Sequence, residues 1–180
     1  SQIDILETMT PLEFSSFRGF LQNASGFQSV QFREMEILCG MHSSRIIDAH
    51  SEQPDLQQQL IDREHESTLW ESFCKYLISR GHPIEMPKRK RDEGLIFEPS
   101  EKNQDVLIEV MRNDPEAALI CELFVDYDEG LMEWRYRHVK MVERTIGTKR
   151  GTGGSDGAKY LHKTLNDPIF PDLWAIRSRF

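Results

Sequence analysis

"EWRYRHVKMVERTIGTKRGTGGSDG", residues 133–157, runs a basic, aromatic segment with one central histidine into five glycines within eleven positions. Around it, Leu131, Trp134, His138, Met141, Val142, Thr145 and Ile146 recur at steps of three and four, the spacing of one helical face. The segment reads as a helix that stops at the glycines. His138 stands in the middle of the apolar stripe, whereas Arg135, Arg137, Lys140 and Arg144 fall largely on other faces. The same periodicity recurs along the chain, and no segment sustains the two-residue alternation of a strand. The predicted class is therefore all-α.

Helix boundaries are written in local signals. In "MTPLEF", Thr10 can cap, Pro11 takes the first helical position and Glu13 follows three after the cap, which predicts a helix over about 11–22. Phe14, Phe17 and Leu21 share its apolar face, and Arg18 lies among them, an odd place for a charge. Ser25 and Gln28 form a second capping pair, opening a helix to about Leu38 that Gly40 ends. Further helices are expected over about 54–63, through "STLWESFCKYLISRG" to Gly81, and over about 103–147, broken at "NDP", where Asp114 can cap and Pro115 can restart. Three prolines and a charge run make 82–102 an exposed loop. One domain over residues 1–180 is the expectation for this length.

A glycine loop beside Lys149 and Arg150 raises the question of phosphate. A P-loop needs a strand before it and a lysine after its glycines, and here a helix precedes and the lysine comes first. "RGTGGSDG" can still turn several backbone N–H groups inward on a smaller anion such as a carboxylate, with the Thr152 hydroxyl at the tip; the other reading is a plain glycine turn. For His138 the alternatives are a satisfied core residue and a metal or haem ligand. With no HExxH and no Cys/His spacing, any metal on His138 should bring its own equatorial ligands, as haem does.

Composition narrows the classes further. Twenty-two Lys and Arg against 30 Asp and Glu give a net charge of −8, which argues against a nucleic-acid binder. The three cysteines, Cys39, Cys74 and Cys121, are widely spaced and form no CxxC pair, as expected of buried free thiols in a reducing compartment, so a cytoplasmic location is expected. The opening residues show no leader pattern, and the longest apolar run, "AALIC", is too short to cross a bilayer.

The blocks "ETMTPLEFSSFRGFLQNASGFQSVQFREME" and "WRYRHVKMVERTIGTKRGTGGSDGAKYLHKTL" together resemble the tryptophan 2,3-dioxygenase family, in pattern from about Ile5 to "FPDLWAIRS", with 41–113 matching in helical character more than in letters. The resemblance implies an all-α, haem-binding bundle of the tryptophan/indoleamine dioxygenase type. It implies haem b on His138 as axial ligand, and O2 added across the indole C2–C3 bond of L-tryptophan to give N-formylkynurenine. By position, Arg18 matches the residue that pairs with the substrate carboxylate, and Thr152 with Gly151 and Gly153 the second clamp on the amino-acid end. Phe14 and Leu21 match apolar pocket positions, and Ser25 with Gly26 the turn beside haem and substrate. A homotetramer is implied as well.

One departure stands out. The family's His-Asp-Glu motif, whose histidine lies on the distal side of the haem, precedes the "ETMT" block and is not found in these residues; His42, His50, His65, His82 and His162 match no such motif. The chain is therefore expected to be the C-terminal portion of a longer haem dioxygenase, whose N-terminal segment could come as a separate chain. Two other readings stand beside it: a related haem monooxygenase acting on an aromatic amino acid or indole, and a catalytically silent fragment.

Overall fold

The computed structural model describes residues 2–20, 30–41, 47, 48, 50–88, 98–147, 149, 162, 165 and 167–180. Their order is α1 (Gln2–Glu7), α2 (Pro11–Arg18), α3 (Val30–Leu38), α4 (Pro54–His65), α5 (Leu69–Ser79), α6 (Glu101–Asn113), α7 (Pro115–Ile146) and α8 (Pro171–Ala175), with a closing 3₁₀ turn over Ile176–Arg179. No strand element occurs among the described residues, so the all-α expectation is met. No helix among them is long and apolar enough to cross a membrane.

The caps form where the sequence places them. Thr10 accepts from the Glu13 amide at 3.3 Å while the Glu13 carboxylate takes the Thr10 amide at 2.8 Å, closing the box that starts α2. Thr68 and Glu71 do the same for α5, a box the sequence reading missed. Asp114 both follows α6 and accepts from the Ala117 amide at 3.2 Å, so one carboxylate ends a helix and starts the next. Gly40, Gly81 and Gly147 take positive φ at helix ends.

The chain groups into two compact units: residues 1–28 with 129–167, and residues 29–128 with 168–180. Helix α7, 32 residues or about 48 Å long, contributes to both. Its first part serves the second unit and its remainder the first.

The second unit holds most of the buried residues. Ile37, Ile47 and Leu60 pack together with Val30 and Ile61, joining α3 to α4. Trp70, Phe73, Phe124 and Phe170 form an aromatic cluster with centroid separations from 4.8 to 6.4 Å. Cys74, Leu77, Leu107, Val110, Cys121 and Leu173 are fully buried in the same unit. Two carboxylates order its C-terminal segment. Asp172 accepts from the Ser100 amide at 2.9 Å and the Gln104 side chain at 2.8 Å, and burial raises its pKa. Asp128, wholly buried, accepts through Oδ2 from the amides of Ile169 (2.8 Å) and Phe170 (3.2 Å) and from the Trp174 indole N–H (2.9 Å).

The segment 82–88 departs from the exposed-loop expectation in part. Pro83, Glu85, Met86 and Lys88 are exposed, but Ile84 is buried, and Asn103 both accepts from the Glu85 amide (2.9 Å) and donates to its carbonyl (3.0 Å). Helix α6 begins at Glu101, inside the expected loop.

Replacing Asp128 by Ala should strand two buried amides and an indole N–H. The expected cost is about 3 kcal/mol, seen as a lower urea midpoint with an unchanged slope. An unchanged midpoint would show that the carboxylate does not hold the C-terminal segment.

Candidate functional site

The first unit is built from α1, α2 and the later part of α7, and it contains three of the residues singled out from the sequence: Phe14, Arg18 and His138. Phe14 and Arg18 lie one helical turn apart on α2 and are both half-buried. The Phe14 ring sits 6.4 Å from that of Phe17, which is exposed. Placing Arg18 in the last turn also suits the helix dipole, so a cation here costs α2 nothing. Leu21, Ser25 and Gly26 lie outside the described residues.

On α7 the apolar stripe is only partly covered. Met141, Thr145 and the neighbouring Val139 are buried, Leu131, His138, Val142 and Ile146 are half-buried, and Trp134 is 38% exposed. The Trp134 ring lies 5.3 Å from the His138 ring, tilted by 43°. Burial pushes the His138 pKa below the usual histidine value, so the imidazole is neutral at neutral pH and keeps a nitrogen lone pair. Among the described residues no hydrogen bond reaches its ring nitrogens. A neutral imidazole flanked by uncovered apolar surface fits the face of a flat apolar macrocycle carrying a metal.

The basic residues near His138 are engaged in other ways. Arg137 holds Glu7 with two contacts, Nε to Oε1 at 2.9 Å and Nη2 to Oε2 at 2.7 Å, and also donates to Asp4. That fork draws the Glu7 carboxyl below its usual range. Arg135 donates to the Asp167 carbonyl at 3.0 Å. Lys140 pairs with Glu143 at 2.9 Å.

Helix α7 ends at Gly147, whose φ of 59° is left-handed and whose amide bonds the carbonyls of Val142 (3.2 Å) and Glu143 (3.1 Å). Gly151, Thr152 and Gly153 lie outside the described residues. Beyond them His162 Nε2 meets Glu143 Oε1 at 2.6 Å, so both flanks of the glycine stretch, Gly147 and His162, bond to the last turns of α7. Sequence reading gave His162 no partner. The available signal was an acid at 143 on the helix feeding the loop, but spacing alone could not choose it over other acids.

The remaining candidates for chemistry fall away. Burial pushes the Cys74 and Cys121 thiols up to about 12, which leaves them protonated and inert. Among the described residues no three His, Cys, Asp or Glu side chains converge as a metal site. An open groove of about 390 Å³ is lined by Glu34, Asp55, Gln58, Asp62 and Glu66, among others. It belongs to the second unit, which lacks Arg18 and His138, and its acidic wall suits neither an indole nor a carboxylate.

The family model described as tryptophan 2,3-dioxygenase matches residues 1–80 and 96–180. The unmatched gap falls within the proline-rich stretch. A protein of Herpetosiphon aurantiacus named tryptophan 2,3-dioxygenase is 49% identical over 178 residues, covering 99% of this chain and 68% of that protein. One of the same name from Anaeromyxobacter dehalogenans is 49% identical over 177 residues, covering 98% and 66%. Another, from Burkholderia cenocepacia, is 36% identical over 178 residues, covering 97% and 57%. The chain thus spans about two thirds of the length of the first two relatives and less of the third.

Gly147→Ala tests the turn that leads into the glycine stretch. Among the described residues a Cβ there would meet only the Glu143 carbonyl, at 4.0 Å, so the cost comes from the left-handed backbone. We expect a loss of about 1 kcal/mol, read as a lower thermal midpoint. No loss would mean that the turn is not held in that conformation.

Proposed function

The chain belongs to the tryptophan 2,3-dioxygenase family, and from that premise we propose that the protein adds O2 across the indole C2–C3 bond of L-tryptophan, giving N-formylkynurenine. The feature that best supports the reading is the neutral, half-buried imidazole of His138, in the same unit as Arg18 and Phe14. Haem b is the group that this imidazole would hold. When bound, it supplies the redox chemistry that activates O2.

The chain's own residues bind and orient. Arg18 presents a planar fork to the substrate carboxylate, and two parallel charge-assisted hydrogen bonds fix direction as well as affinity. By the family resemblance, Thr152 with Gly151 and Gly153 would clamp the same charged end of the amino acid. By the same resemblance, Phe14 and Leu21 would line the indole with hydrocarbon, and Ser25 with Gly26 would lie beside haem and substrate. Holding one end by charge and the other by packing sets the reacting bond in one place, which is where most of the rate advantage of a bound substrate arises. A dry, apolar surround then limits side reactions with water. His138, kept neutral by burial, would offer a nitrogen lone pair to the haem iron without first losing a proton.

The proposal extends to assembly. The protein works as a homotetramer in the cytoplasm, and the distal histidine comes from sequence outside these residues, of the kind that the longer relatives have room for. Every relative reported above carries the dioxygenase name, so the one-oxygen reading has no support.

Reaction of the haem-loaded protein with tryptophan in labelled O2 should give N-formylkynurenine with two labelled atoms; one labelled atom, or no Soret band after haem is added, overturns the proposal. His138→Ala should remove the haem or change its axial spectrum, and a spectrum identical to wild type would exclude that residue as ligand. Arg18→Lys keeps the charge and loses the fork. Tryptophan binding should weaken by about 1–3 kcal/mol with haem content unchanged, as measured by spectral titration.

A further inference from the structure

Helices α1 and α2 are anchored in an unusual way. Among their described side chains none is fully buried: Ile5 and Leu12 are exposed, while Leu6, Phe14 and Arg18 are only half-buried. Among the described residues apolar packing contributes little to fixing α2, which carries the guanidinium on which substrate orientation is proposed to rest.

Asp4 and Glu7, three apart on one face of α1, both bond Arg137, which directly precedes His138 on α7. The Glu7 contacts are a two-point fork, so they set angle as well as distance. Arg144 adds a weaker attraction on the same carboxylate. From Glu7 the chain reaches α2 through Thr8, Met9 and Thr10, and each of their amides is bonded. The Thr8 amide and hydroxyl reach the Ile5 carbonyl (3.3 and 2.7 Å), the Met9 amide the Leu6 carbonyl (3.2 Å) and the Thr10 amide the Glu13 carboxylate (2.8 Å). A three-residue elbow thus connects the helices, Thr8 and Met9 bonded back to α1 and Thr10 forward to α2, and the Arg137 fork ties α1 to the helix bearing His138.

We infer that Arg137 is a positioning residue for substrate binding: through Glu7 and Asp4 it fixes the elbow from which α2 carries Arg18, and so sets the Arg18 guanidinium relative to His138. The inference rests on the function proposed above. It separates stability from function, because Arg137 and Glu7 are each about a third exposed (36% and 33%), where an ion pair adds little to global stability. Small displacements of an orienting group can nonetheless be costly for the bound substrate.

The test uses the haem-loaded protein with Arg137→Gln, Glu7→Gln, the double variant and Arg137→Lys. Tryptophan affinity is read by Soret titration, with hydrogen exchange over residues 8–18 and haem content per chain. Either single Gln variant should weaken tryptophan binding by about ten- to a hundredfold, with haem content, axial spectrum and thermal midpoint unchanged. Exchange over 8–18 should quicken. The double variant should bind no more weakly than the worse single one, since both remove the same contact. Lys should restore part of the affinity, keeping the charge without the fork. Faster exchange with unchanged affinity overturns the positioning role, as do additive losses. Loss of haem from Arg137→Gln overturns it too, since that would make Arg137 a haem contact. A wild-type protein that binds no tryptophan sinks the dioxygenase reading itself, whereas wild type and variants binding equally well sink this role alone.

Discussion

Burial of a single imidazole on the flank of α7 is the constraint on which the functional reading depends. An exposed histidine would titrate near neutrality and compete with water for any ligand; a wholly enclosed one would have to satisfy both nitrogens within the protein. His138 lies between these limits. Its ring is desolvated enough to stay neutral, and no hydrogen bond among the described residues occupies its nitrogens. Around it the helix leaves Trp134 exposed and Leu131, Val142 and Ile146 half-covered. Nearly all the nearby cations are held by acids or carbonyls, so the imidazole is the chemically available group on that part of α7.

The second unit uses carboxylates as multi-acceptor hubs. Asp128 gathers two amides and an indole N–H in a place that water does not reach, and Asp172 takes an amide and a side-chain amide. Asp114 joins two helices while pairing with Arg80 at 2.6 Å and His82 at 2.9 Å, and these partners hold its carboxyl far below the usual range. In each case the carboxyl group supplies acceptors to backbone or side-chain donors that would otherwise be left without them. This explains how a chain rich in acids can still order its termini and helix junctions.

Much of the fold was legible because helix ends are local events. Thr10 with Glu13, Asp114 with Pro115, and the glycines at 40, 81 and 147 each act through neighbours within a few residues, and each appears where the letters place it. Pairings across the chain were not legible. Arg137 meets Glu7 at a separation of 130 residues, and nothing in the periodicity of α7 chooses Glu7 over another acid. Asp128 sits in a helix otherwise lined with solvated acids, so its burial has no local mark. Periodicity also says which residues share a face but not whether anything covers it, and for that reason Trp134 belongs to the stripe and is still exposed. For the site, His138 and Arg18 were readable as residues out of place: a titratable ring within an apolar stripe and a charge within an apolar face. Thr152 and its glycines lie outside the described residues, so their place in the site rests on the family resemblance.

Two sealed sulfhydryls in the second unit have a practical consequence. With acidity pushed to about 12, Cys74 and Cys121 are ionised in only about one molecule in a hundred thousand at pH 7, and only the ionised form attacks electrophiles or peroxide readily. These two thiols are thereby spared oxidation so long as the core around them stays shut. Alkylation of these two positions becomes a clock for how often that core opens.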